Sequence, residues 1–244
     1  MKKVIQKYYH DKNVNIIGLL KNDIEENNEK ALRYVKYVIK NLLGVEGVEQ
    51  LLEDIAQVDK SGYEGKRIYY NSLTELHATY FVHKSLKLKI VEVESKTNTV
   101  LSPNRKGDKS CDIKATNSVR DYYFESKDAS SEIMTSYEDR GHTLFTPTDD
   151  DEIREWVIRK SKEADEKGAN YLVCRVPVWV NDAGRAKRDF YNEWITRVFE
   201  IKKKISRNSF VITLPIRLSS NFEGIYIIKE FGYLKLQLRC FTKI

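Results

Sequence analysis

The spacing of apolar positions divides the chain into a helical first quarter and a longer stretch where strands and helices alternate. In IEENNEKALRYVKYVIKNLLG (24–44), Ala31, Tyr34, Val35, Val38 and Leu42 recur at helical spacing, and Gly44 supplies a stop. VEGVEQLLEDIAQVDKSG (45–62) predicts a shorter second helix. SLTELHATYFVHKSL (72–86) predicts a third, with Ser72 as N-cap and Glu75 three residues on, a capping-box arrangement. Its stripe is Leu76, Thr79, Tyr80 and His83.

Period-two alternation then takes over. KLKIVEVES (87–95), SCDIKAT (110–116) and DYYFESK (121–127) predict three strands, the last two joined by a short turn. DDDEIREWVIRKSKEADEKG (149–168) predicts a helix with acidic residues in its first turn and Gly168 at its end. ANYLVCRVPVWV (169–180) predicts a buried strand, and RAKRDFYNEWITRVFEIKKKIS (185–206) another helix. FVITLPIRL, GIYIIKEF and YLKLQLRCF supply short strands at the end. This order predicts an α/β fold: a mixed sheet with helices on its faces, residues 67–244, preceded by an N-terminal helical region, 1–66.

The pair of strands at 110–127 carries the chemistry. Alternation puts Cys111, Ile113 and Ala115 on one face and Asp112 and Lys114 on the other; Tyr123, Glu125 and Lys127 share a face of the next strand. A tight turn centred between Ser118 and Val119 sets Asp112 directly opposite Glu125, with β-carbons about 5 Å apart and Lys127 one pleat further along. Opposed carboxylates repel unless a positive charge lies between them. A hard divalent cation is one solution, and a solvated face of cross-strand ion pairs is the other. Both carboxylates are expected on an exposed cleft. A register slip of one residue would separate them onto opposite faces.

Composition narrows the setting. Hydrophobic content of 41% and aromatic content of 11% suffice for a core. No apolar run approaches the ~18 residues that span a bilayer, and the N-terminus has no apolar h-region, so no membrane association or secretion is expected. Cys111, Cys174 and Cys240 have no paired spacing and suggest reduced core thiols, which points to the cytoplasm. Net charge is +6, with basic clusters at 84–89, 104–109, 184–188 and 201–207. That balance is compatible with a phosphate-bearing partner and equally with solvated surfaces. Lys202, Lys203, Lys204 and Arg207, at the end of the expected helix, are candidate phosphate contacts or a favourable charge on its dipole.

Asp112, a twelve-residue gap and then Glu125-Ser126-Lys127 resembles the PD-(D/E)xK nuclease superfamily, the restriction-endonuclease-like fold. The context extends the resemblance over roughly residues 72–180. A helix carrying Glu75 precedes the first strand, and a helix and a strand follow the hairpin. Cys111 stands where the family name has Pro. The resemblance implies a restriction-endonuclease-like sheet and Mg²⁺-dependent hydrolysis of DNA phosphodiesters, with Mn²⁺ substituting. Asp112, Glu125 and the Ser126 carbonyl would hold metal, Glu75 would assist through the outer shell or a second ion, and Lys127 would orient water or stabilise the phosphate. A homodimer cutting both strands is one arrangement it allows. A non-catalytic nucleic-acid-binding module of the same fold and a structural or partner-binding α/β protein are the rival readings. Asp108 competes for the Asp112 role, Glu92 or Glu94 could be an accessory ligand, and Arg140 and His142 are candidate substrate contacts.

Overall fold

The computed structural model describes residues 37–38, 40–57, 63–95, 98–129, 150–175, 195–206 and 209–228. The expected features of residues 1–36, Arg140, His142, the cluster at 184–188, Arg207, Cys240 and the strand at 233–241 lie outside them. The elements are α1 (Val48–Gln57), α2 (Tyr63–Lys84), β1 (Lys89–Val93), β2 (Ile113–Thr116), β3 (Asp121–Asp128), α3 (Asp150–Glu166), β4 (Tyr171–Arg175), β5 (Glu200–Ser206), β6 (Ser209–Thr213) and β7 (Gly224–Ile228). They form an α/β structure around one seven-stranded open sheet of order β1-β2-β3-β4-β7-β6-β5. The β3–β4 and β4–β7 pairs are parallel and the remaining pairs antiparallel. Among the described residues no helix is long and apolar enough to cross a membrane.

Two cores lie on opposite faces of this sheet. On one, Leu51, Leu52, Leu73, Leu76 and Phe81 of the first two helices pack on Ile90, Ile113, Ala115, Phe124 and Val173. On the other, Ile153, Trp156 and Val157 of α3 pack with Leu172, Cys174, Ile225 and Ile227. Ile195 and Val198 join this second core, as expected of apolar positions at helical spacing. Leu42 and Val48 join the first core, and the Val93 N–H donates to the Glu46 carbonyl at 2.9 Å. Residues before α2 are therefore continuous with the sheet's packing, and α2 itself runs across the 66/67 boundary.

Two elements differ from expectation. Helix α2 begins at Tyr63, so Ser72 and Glu75 lie in its interior and form no capping box. An i, i+3 Ser–Glu pair occurs within helices as readily as at their starts, and the single Gly65 costs only about 1 kcal/mol. Residues 200–206 are a strand, not the end of a helix. Ile201 and Ile205 stand four apart and mimic helical spacing, yet they belong to a strand paired with β6. Register shifts between Ile201 and Lys203 and between Lys204 and Ser206 break its period of two, which hid it in the sequence. Lys202, Lys203 and Lys204 are thus exposed on the outer edge strand, four positions from β3, or about 19 Å at ~4.8 Å per strand.

The end of α3 is fixed by a close approach. Gly168 has φ of 73°, its carbonyl accepts from Ser102 Oγ at 2.7 Å, and the Lys106 N–H donates to the Glu166 carbonyl at 2.8 Å. A β-carbon at Gly168 would lie 2.5 Å from the Arg105 nitrogen and 2.6 Å from the Asn104 carbonyl carbon. Gly44, at φ 90°, would place one in open space. We expect Gly44→Ala to cost only the backbone strain of about 1–2 kcal/mol, and Gly168→Ala clearly more. Urea denaturation of both variants checks this, and equal losses would mean the 102–106 segment yields freely.

Candidate functional site

The turn Asn117–Arg120 sets the geometry. Asn117 Oδ1 accepts the N–H groups of Val119 and Arg120 at 2.8 and 3.0 Å, and the Asn117 N–H donates to the Arg120 carbonyl at 3.2 Å. The hairpin then pairs Thr116 with Asp121 and Ile113 with Phe124. The ladder ends there: Asp112, the next residue, lies outside it, so the pairing with Glu125 expected from the turn is not part of the ladder.

Asp112 itself sits at a bend just before β2. The Ser126 N–H, which a continued ladder would send to the Cys111 carbonyl, donates instead to Asp112 Oδ2 at 2.6 Å. Ser126 Oγ donates to the same oxygen at 2.7 Å. The Asp112 N–H donates to the Phe124 carbonyl at 3.1 Å, and its carbonyl accepts from the Glu94 N–H at 2.7 Å. The bend also breaks alternation. Cys111 packs in the α3-side core while Ile113 and Ala115 pack in the other, so the three do not share a face. Asp112 and Glu125 are only 4% and 0% exposed, which overturns the expectation of a solvent-facing cleft.

Around this bend the fold brings together charges from five elements. Glu125 Oε1 forms an ion pair with Lys127 and accepts from Lys167 Nζ at 2.7 Å. Lys167 follows α3 and had no signal in the sequence beyond being a lysine before the helix-ending glycine. Glu75 enters from α2. Burial, then the Asp112 charge, push its carboxyl well above the ordinary range. Glu94 enters from beyond β1, bonded by Ser110 Oγ, and burial pushes it up as well. Burial alone would lower Lys127, but Asp112 and Glu125 outweigh it and hold the ammonium above its ordinary value. The same opposition, with Asp112 and Glu125 prevailing, raises Lys167. Burial pushes the Cys111 thiol up, making it a poor nucleophile.

Other candidates stand apart. Asp108 is exposed on the preceding loop, and Glu92 pairs with Lys114 at 3.6 Å. His83 Nδ1 bonds the Leu88 carbonyl oxygen at 2.9 Å, and burial holds His77 well below its ordinary value, hence neutral. Of the basic clusters, 104–109 lies against the end of α3, where Lys109 pairs with Glu166.

Among the described residues no group of three or more His, Cys, Asp and Glu side chains is gathered so as to hold a metal ion. Asp112 is turned to Ser126 and Glu125 to its lysines. Nevertheless Glu125 Oε2 is buried without a hydrogen-bond partner, a costly arrangement that a cation would relieve. The hard oxygen donors of Asp112, Glu125 and Glu75 suit Mg²⁺ or Mn²⁺ rather than a soft metal. No family model, curated protein or solved structure matches this chain.

Burial, then Asp112, push the Glu125 carboxyl up to about 7, against the pull of Lys127 and Lys167. A carboxyl that binds its proton more tightly folded than unfolded stabilises the fold below its unfolded pKa of about 4.3. That contribution is lost as pH rises through the folded value. In EDTA, the wild type should therefore lose stability between about pH 5 and pH 8 more steeply than Glu125→Gln. Urea midpoints across that range check it; parallel curves would mean Glu125 ionises normally.

Proposed function

We propose that the chain is a metal-dependent nuclease of the restriction-endonuclease-like fold, hydrolysing DNA phosphodiesters. The observation that carries this reading is the convergence of Asp112, Glu125 and Lys127 at one bend of adjacent antiparallel strands, with Glu75 reaching it from α2. The order α2-β1-β2-β3-α3-β4, an antiparallel meander followed by a parallel strand, supports the family resemblance. Asp112, Glu125 and the Ser126 carbonyl would hold Mg²⁺, with Glu75 as an outer or second-ion partner. When bound, the ion supplies an activated water and neutralises charge developing on the phosphoryl oxygens.

The chain's own residues supply the rest. Ser126 fixes the Asp112 carboxylate through two hydrogen bonds, so that this ligand is oriented before any ion arrives. Lys127, a compact point charge beside Glu125, orients the attacking water or stabilises the phosphate as charge accumulates. The water-poor setting strengthens each of these interactions. Lys106, on the loop that abuts α3, and the edge lysines 202–204 would contact phosphates on the two sides of a bound duplex.

Incubation with plasmid, linear duplex and single strands should give cleavage in Mg²⁺ or Mn²⁺ and none in EDTA. Asp112→Ala and Glu125→Ala should lose cation binding and cleavage together. Lys127→Ala should keep the cation and lose at least about 100-fold in turnover. DNA binding without cleavage by the wild type would move the reading to a binding module. In Ca²⁺, replacing Lys202, Lys203 and Lys204 with Ala should flatten the slope of log K against log salt by roughly one to three units. An unchanged slope would place the duplex away from β5.

A further inference from the structure

We infer that Lys167 is a second phosphate-contacting lysine of this site: in the metal-free protein Glu125 occupies it, and a divalent cation frees it by taking that carboxylate. The inference rests on the metal-site reading above, and goes beyond the Asp112, Glu125 and Lys127 set.

Three observations support it. The first is the lopsided bonding of Glu125. Both ammonium groups, Lys127 and Lys167, converge on Oε1, while the buried Oε2 has no hydrogen-bond partner. A purely structural ion pair would gain by sharing its donors between both oxygens. Here one oxygen is left for another ligand, and two lysines are engaged where one would orient the carboxylate.

The second is anchorage. The Lys167 N–H donates to the Glu163 carbonyl at 3.1 Å, and its own carbonyl accepts from Cys111 Sγ at 3.3 Å. Cys111 is the residue next to Asp112, so the root of Lys167 is tied to the same bend that presents the first carboxylate. The side chain remains 24% exposed, so its ammonium can reach solvent or a ligand without unfolding the helix end.

The third is charge. Glu75, Glu94, Asp112 and Glu125 act on one another and on Lys127 and Lys167. Four carboxylates against two ammonium groups leave 4 − 2 = 2 negative charges when all are ionised. One divalent cation balances that excess. Once it is bound at Glu125 Oε2, the carboxylate's charge is shared with the ion and the hold of Oε1 on both ammonium groups weakens. They can then take a new anion, for which a non-bridging phosphodiester oxygen is suitable. Two ammonium groups from β3 and the end of α3 would hold such an anion from two directions.

The test uses the full-length protein, with Mn²⁺ alone and then a short duplex in Ca²⁺. Lys167→Met removes a competitor for Glu125 and a contact for phosphate. Mn²⁺ should bind about 3- to 10-fold tighter, and duplex in saturating Ca²⁺ about 3- to 10-fold weaker, a factor of ten being 1.4 kcal/mol. Lys167→Arg keeps the charge and should stay close to wild type in both. A role confined to holding the helix end would give equal or weaker Mn²⁺ binding in Lys167→Met, and that result overturns the inference while leaving the metal site intact. No Mn²⁺ binding by the wild type would instead overturn the metal-site reading and this inference with it. Should Lys167→Met fail to fold, the side-chain ammonium resonance of Lys167 in the wild type provides the second measurement. It should shift on adding Ca²⁺ and again on adding duplex, and a resonance unmoved by both would also overturn the inference.

Discussion

The two hydrogen bonds from Ser126 to Asp112 Oδ2 are the constraint on which the site depends. They use a side-chain oxygen where the β2–β3 ladder would otherwise use a backbone carbonyl. The strand therefore loses no hydrogen bond at Ser126, while the chain before β2 is released to bend. That bend sends Cys111 into one core and Ile113 into the other, and it admits the Glu94 N–H to the Asp112 carbonyl. A buried carboxylate accepting two donors is oriented by the fold and needs no ligand to keep its direction. Its partner Glu125 is held differently, by two ammonium groups at one oxygen.

That difference matters because burying charge is expensive. Several carboxylates out of water in one place would cost several kcal/mol each if unpaired, so their positions cannot be accidents of packing. The protein meets part of that cost with Lys127 and Lys167 and part by raising the proton affinity of Glu75, Glu94 and Glu125. Elsewhere in the same sheet, Asp128 and Arg175 show the other solution. They are paired side by side on the parallel strands β3 and β4, both buried, and joined by an ion pair. The contrast within a single strand separates a pair of opposite charges from a cluster in which carboxyl groups outnumber ammonium groups.

The hairpin was legible from sequence because a two-residue turn leaves little freedom in register. Once Asn117 and Arg120 close the turn, counting outward reaches Ile113 and Phe124 without any tertiary information, one residue short of Asp112 and Glu125. The succession of elements from β1 to β4 was legible from the switch between period-two and helical spacing. Burial of the carboxylates was not, because it depends on which helices close over the bend, and alternation alone treats a charged residue as outward-facing. Glu94 had a weak signal as one of two glutamates on a shared face, but only the bend selects it over Glu92. Strand β5 was hidden by its two register shifts, and the start of α2 by a Ser–Glu spacing common to caps and helix interiors.

Lys167 marks the limit of reading along the chain. It lies 42 residues from its partner Glu125, on the far side of a helical crossover, and nothing local distinguishes it from the lysines of α3. Its placement follows from helix length and from how the helix ends. Helix α3 must return the chain to lie parallel beside β3, and the left-handed turn at Gly168 fits only because no side chain intrudes on Asn104 and Arg105. The segment Ser102–Cys111 then holds both the helix end and the approach to Asp112, through Ser102 to Gly168, Lys106 to Glu166 and Cys111 to Lys167. A long polar loop thus acts as the ruler that sets a lysine of one layer against a carboxylate of another. The length of α3, the glycine that ends it and the loop beneath it are coupled constraints on where the Lys167 ammonium meets the Glu125 carboxylate.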